Sequence, residues 1–127
     1  MAWLRIGDNA TTHPLMSQLL AATDLKHHEK NETFGVLVQL AAVSAGHLTD
    51  AIVEYGLLAQ IAPGRERHVL ETLKRAGLAR EDEVEERKVI RLVLDDEEFI
   101  HARRREEVEL DRRRARDKRT PGLYAQV

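Results

Sequence analysis

One stretch restricts the possible folds more than any other: "GRERHVLETLKRAGLAREDEVEERKVIRLVLDD", from Gly64 to Asp96. Val69, Leu70, Leu73 and Ala76 recur at helical spacing, and Gly77 is placed to stop that helix. Leu78 and Ala79 then enter a strand, "EDEVEE" is expected to turn, and "KVIRLVL" alternates. Val89, Arg91 and Val93 share one face of that strand, and Ile90, Leu92 and Leu94 the other. A strand apolar on both sides packs between layers. Upstream, a short helix over about 54–61 is stopped by Pro63-Gly64, and a second helix is predicted over 65–76.

The remaining elements must close a core around this unit. "ETFGVLVQLAAVSAGH" places Phe34, Leu37, Val38, Leu40, Ala41 and Val43 around most of a helical circumference, so this helix belongs in the middle. Gly46 is expected to end it as a C′ glycine. In "THPLMSQLLAATD", Thr12 or His13 caps a helix that has Pro14 in its first position, where a missing N–H costs nothing. Leu15, Leu19 and Ala22 form its inner face, with Met16 and Leu20 beside them. Ala2 to Ile6 is a candidate strand, "LKHHEKNE" a polar connector, and Ala51 to Val53 one further bridge of strand.

From Asp95 onward the chain is charged almost throughout. Arg103–Glu107, Arg105–Glu109 and Glu109–Arg113 are spaced four apart, which supports a helix. Its apolar stripe is thin, chiefly Phe99, Ile100 and Val108, so it is expected to project from the core or lie on a partner. The predicted fold is mainly α with a small β-hairpin, a winged helix-turn-helix plus a long charged C-terminal helix. The predicted boundaries are 1–95 for the winged-helix domain, 96–119 for the helix and 120–127 for a flexible tail. A length of 127 residues allows one small core and one appended element.

Several chemistries find no support. Cysteine is absent, which removes disulfides, thiolate zinc sites and a thiol nucleophile. His27-His28-Glu29 lacks ligand spacing, and His13, His47, His68 and His101 stand alone. There is no P-loop, no GxSxG and no paired carboxylate on a known scaffold, so neither an enzyme nor a cofactor or metal is expected. No apolar run suits a membrane span and no signal pattern opens the chain, so a cytoplasmic protein is expected.

For nucleic acid the charges disagree among themselves. The second helix of a helix-turn-helix offers its N-terminal residues to base edges. Here these are Arg65, Arg67 and His68, with Lys74 and Arg75 within reach of phosphate. The tip between the strands is acidic instead: Glu81, Asp82, Glu83, Glu85 and Glu86 outnumber Arg87 and Lys88. Carboxylates repel the phosphates whose neutralisation drives affinity. Net charge is −2 and pI near 6.3, whereas a free-standing nucleic-acid domain is usually basic. The C-terminal segment is the local exception. Arg103, Arg104, Arg105, Arg112, Arg113, Arg114, Arg116, Lys118 and Arg119 stand there against five acids.

With these residues in view, the chain resembles an N-terminal winged-helix module of actinobacterial and phage proteins. The resemblance lies in "MAWLRIGDNATTHP", "HLTDAIV", "ETLKRAGLA" and "DDEEFIHARRREEVELDRRR", and extends over nearly the whole chain. It implies binding of double-stranded DNA in a replication- or transcription-related setting. In some relatives the charged helix leads into an HNH-type nuclease domain, to which "RDKRTPGLYAQV" is similar as a lead-in. The expected function is therefore non-catalytic duplex DNA binding. The groove residues would be Arg65, Arg67, His68, Lys74 and Arg75, with phosphate contacts from Arg103 to Arg105 and Arg112 to Arg114. The alternatives are a protein-interaction module that uses the acidic wing, and the N-terminal part of a longer nuclease-like protein. The thin helix stripe is compatible with a homodimer.

Overall fold

The computed structural model describes residues 3–8, 10–23, 26–47, 49–96, 99–102 and 104–119. The protein is mainly helical with small antiparallel sheets. Strand β1 (Leu4–Ile6) leads through a 3-10 turn (Ala10–Thr12) into α1 (Pro14–Ala22), and α2 runs over His27–His47. After β2 (Ile52–Val53) come α3 (Tyr55–Ile61) and α4 (Glu66–Arg75), then the hairpin of β3 (Ala79–Val84) and β4 (Arg87–Leu92). The short strand β5 (Ile100–Ala102) and α5 (Arg105–Arg119) complete the described chain.

Local chemistry explains the boundaries. His13 caps α1 through Nδ1, which accepts from the Leu15 backbone N–H at 3.0 Å, and Pro14 follows in the first turn. Gly77 ends α4 in the left-handed region, at φ 75°. Leu78 N–H then donates to the Leu73 carbonyl at 2.9 Å and Gly77 N–H to that of Lys74 at 3.1 Å, a Schellman closure. Leu73 and Leu78, the two apolar residues flanking that closure, are both fully buried.

α2 is longer than the predicted central helix at both ends. "LKHHEKNE" is no connector, because α2 begins at His27 and the polar residues form its solvated first turns. Gly46 lies inside the helix, and the end is closed instead by Thr49 N–H donating to the Ser44 carbonyl at 3.1 Å. Leu37, Leu40 and Ala41 are completely buried, as a central helix requires.

The three-stranded sheet has the order β2-β4-β3. β4 is the middle strand, which accounts for burial of Val89, Ile90 and Leu92 on both of its faces. "EDEVEE" is mostly strand: only Glu85-Glu86 turn, and Glu83 and Val84 pair with Lys88 and Arg87. Glu83 opposite Lys88, and Asp82 diagonal to Arg91, support residues that are poor strand formers by themselves. Arg91 donates to Asp82 at 2.8 Å, which is the first reason that the Asp82 carboxyl sits below its ordinary pKa.

Both tip residues have positive φ, 51° at Glu85 and 65° at Glu86, the requirement of a type I′ hairpin turn. A non-glycine residue there stores on the order of 1 kcal/mol of strain. The double change Glu85→Asn with Glu86→Gly is therefore expected to stabilise the protein by about 1–2 kcal/mol. Thermal denaturation would register a midpoint several degrees higher, and a lowered midpoint would contradict this geometry.

The segment after Asp95 departs from expectation. Phe99 and Ile100 are no stripe on a helix; both are fully buried in the core. Ile100–Ala102 pairs antiparallel with β1, with Ile6 opposite Ile100 and Leu4 opposite Ala102. The Phe99 ring packs beside His13 at 5.3 Å and Phe34 at 5.7 Å between centroids. Residues 99–102 thus belong to the body, and the helix predicted from 96 starts at Arg105. The expected tail over 120–127 lies outside the described residues.

Candidate nucleic-acid interface

The two predicted cationic sets meet different fates. α4 packs its Val69, Leu70, Thr72 and Leu73 face inward, against helices that include α1 and α2. That docking brings its N-terminal end beside the acidic first turns of α2. Arg65 precedes the helix as its N-cap position, and its Nε donates to Glu32 at 3.1 Å. His68 Nε2 lies 3.5 Å from a Glu29 oxygen, yet it is buried and without a hydrogen-bond partner among the described residues. The separation satisfies an ion-pair distance while the geometry is too poor for a hydrogen bond, so the Nε2 edge of a half-buried His68 is turned toward α2.

Further along α4, Lys74 reaches Glu71 at 3.4 Å and Glu81 of β3 at 3.5 Å. Glu71 is the main reason its pKa is raised. Glu81 also hydrogen-bonds Tyr55, whose phenol pKa is raised by burial first and then by that carboxylate. Arg75 is exposed, and Arg67 is exposed without an ion pair among the described residues. Arg65, His68 and Lys74 thus sit against carboxylates drawn from α2, α4 and β3. In the hairpin, Arg87 pairs with Glu54, and acids outnumber bases over 80–91. Exposed pairs of this kind contribute little to stability. Their larger effect is to cancel the field that a phosphate backbone would meet.

α5 is arranged otherwise. Its first half carries Glu106, Glu107, Glu109 and Asp111; its second half carries Arg112, Arg113, Arg114, Arg116, Lys118 and Arg119 against Asp117 alone. Acid at the N-terminal end and base at the C-terminal end both match the helix dipole. Arg105 Nε donates to Glu109 at 2.9 Å, one turn along, and this bond is the first cause of the lowered Glu109 carboxyl pKa. Arg112, Arg113 and Arg116 rise from the same face as Glu109. Arg112, Arg113, Arg114, Arg116 and Lys118 are all exposed. Arg104 is exposed at the start of the helix, and Arg103 lies outside the described residues.

A groove of about 840 Å³ runs between the sheets and the start of α5. Arg80, Arg91 and Arg104 line it, but so do Asp50, Asp95 and Glu107, leaving it without a dominant sign. Among the described residues no group of three or more acids and histidines could hold a metal ion. No helix among them is long and apolar enough to cross a membrane.

Sequence reasoning missed the acids that meet α4. Along the sequence Glu29 falls in a polar stretch and Glu32 at a helix start, with nothing to place them opposite Arg65 and His68. It also missed Asp50, whose carboxylate Oδ1 accepts from the Arg105 backbone N–H at 2.7 Å. An acid in a short polar turn is a common capping residue, but its target lies 55 residues away. Compared with known proteins, the chain matches no family model, no curated protein and no solved structure.

Proposed function

We propose that the protein binds double-stranded DNA without catalysis, and that the second half of α5 is its main phosphate contact. The observation that carries this reading is the exposed run Arg112, Arg113, Arg114, Arg116 and Lys118, interrupted by one acid, on a helix whose acidic half lies nearer the body. Phosphate neutralisation supplies most of the affinity of sequence-independent binding. A local cationic array can supply it even though the net charge is −2.

The winged-helix reading of the body is part of the proposal. It is supported by the element order α2, β2, α3, α4, β3, β4, with β2 and β3 on either side of β4. The setting that the family resemblance implies, a cytoplasmic phage or actinobacterial protein of replication or transcription, belongs to the proposal as well. In this reading α4 is a minor contact, through Arg67, because Arg65, His68 and Lys74 already face carboxylates.

Fluorescence anisotropy with a labelled duplex at two salt concentrations tests the proposal. Retention at low salt that falls steeply as salt rises supports it, and no retention at about 50 mM salt rejects it. The double change Arg65→Ala with Arg67→Ala is expected to weaken binding only several-fold, roughly the effect of one lost phosphate contact. A loss as large as that from changing the α5 arginines would return the main site to α4.

A second reading has an observation of its own. The paired charges of α4 and the acidic hairpin suit a protein partner better than a polyanion. Capture of a basic protein by a chain that ignores duplex would favour it.

A further inference from the structure

The start of α5 is tied to the body by the loop after α2. The loop after α2 forms a tight turn in which Ile52 N–H donates to the Thr49 carbonyl at 3.1 Å. Its two central residues, Asp50 and Ala51, both lie in the left-handed region, at φ 53° and 70°. Neither is glycine, so the conformation is unfavourable by itself and has to be imposed by its surroundings. Ser44, 2% exposed, does this from α2: its Oγ accepts from Ala51 N–H at 2.9 Å and lies 2.7 Å from the Thr49 hydroxyl. From the other side, the Ala51 carbonyl accepts from Leu92 N–H at 2.8 Å. What this turn accomplishes is to bring the Asp50 carboxylate to the first amide of α5. One turn later Val108 is fully buried, a second point of attachment.

We infer that Asp50 is the positioning residue of the basic helix, a cap supplied from the body that holds α5 at one angle and so offers its arginines as a preformed array. The consequence for binding rests on the DNA reading above; the geometric claim does not. A freed amide at the start of α5 would be hydrated, so the helix itself survives loss of the cap. What is lost is the fixed angle, and with it the preorganisation that aids affinity.

The test uses the full chain, which has no native cysteine. Spin labels are placed at two exposed sites, Gln39→Cys on α2 and Asp117→Cys on α5, and the distance distribution is measured by electron-electron resonance. Asp50→Gly accommodates the positive φ yet offers no acceptor, so the turn persists without the cap. Asp50→Asn accommodates the φ and retains an acceptor oxygen. The parent and the Asn variant are expected to give one narrow distribution and the Gly variant a broad one. Duplex affinity should fall by roughly threefold to tenfold in the Gly variant and stay near the parent value in the Asn variant. An unchanged narrow distribution in the Gly variant would overturn the inference, as would equal broadening in both variants. If the parent ignores duplex altogether, the DNA reading fails while the distances still decide the role of Asp50.

Discussion

Replacing Arg112, Arg113 and Arg114 together by alanine is expected to lower duplex affinity on the order of a hundredfold at about 0.1 M salt. The estimate follows from counterion release. Each neutralised phosphate contributes a slope of about −0.9 to the dependence of log affinity on log salt, so loss of three contacts should flatten that slope by nearly three. The slope is the sharper measurement, since it counts contacts whatever the reference affinity. Folding should be almost untouched. The three side chains are exposed, and alanine is the best helix former, so stability should change by no more than about 0.5 kcal/mol. An affinity and slope equal to the parent's would remove α5 from the interface and leave the proposed function without its main observation.

Phe99→Ala is expected to be strongly destabilising. The side chain is fully buried and touches rings from two other elements, His13 ahead of α1 and Phe34 of α2. Deleting it removes apolar burial and leaves a cavity that those neighbours can fill only in part, at a cost of about 3–5 kcal/mol. A domain of this size has roughly 5–15 kcal/mol of stability in all, so the loss would be plain in a urea titration as a lower midpoint with little change in slope. Phe99→Leu, which conserves most of the volume, should cost much less, about 1–1.5 kcal/mol. A Phe99→Ala protein as stable as the parent would mean that the segment after Asp95 is not part of the core.

The same residue decides how the arm has to be dissected. A chain ending at Asp95 would lose Phe99, Ile100 and the partner strand of β1 along with the arginines. Lost binding in such a chain would report unfolding and not the site. Arginine-to-alanine changes within α5 avoid the confusion.

Much of the framework was legible in the residues. Leucine and valine at helical spacing located α1, α3 and α4 to within a residue or two, because a helix buries one face and that face has a period. Gly77, the one glycine whose left-handed conformation ends a helix here, was read correctly, since few other residues tolerate that φ. Gly46 was misread for the complementary reason: nothing local tells a glycine inside a helix from one that ends it. The start of α2 was missed because "LKHHEKNE" has no apolar face to betray a helix whose first turns lie in water.

By itself, the sequence determined that helices would dominate, that a hairpin would follow the helix at 66–75, and that positive charge would concentrate near the C-terminus. These are consequences of periodicity and local composition, which are written along the chain. Only the tertiary structure decided which charges remain available. Glu29 and Glu32 reach α4 because α2 and α4 dock face to face, Glu81 reaches Lys74 because a hairpin folds back, and Asp50 meets Arg105 across 55 residues. Electrostatic interaction depends on distance in space, and spacing along the chain carries that distance only within a single helix or strand.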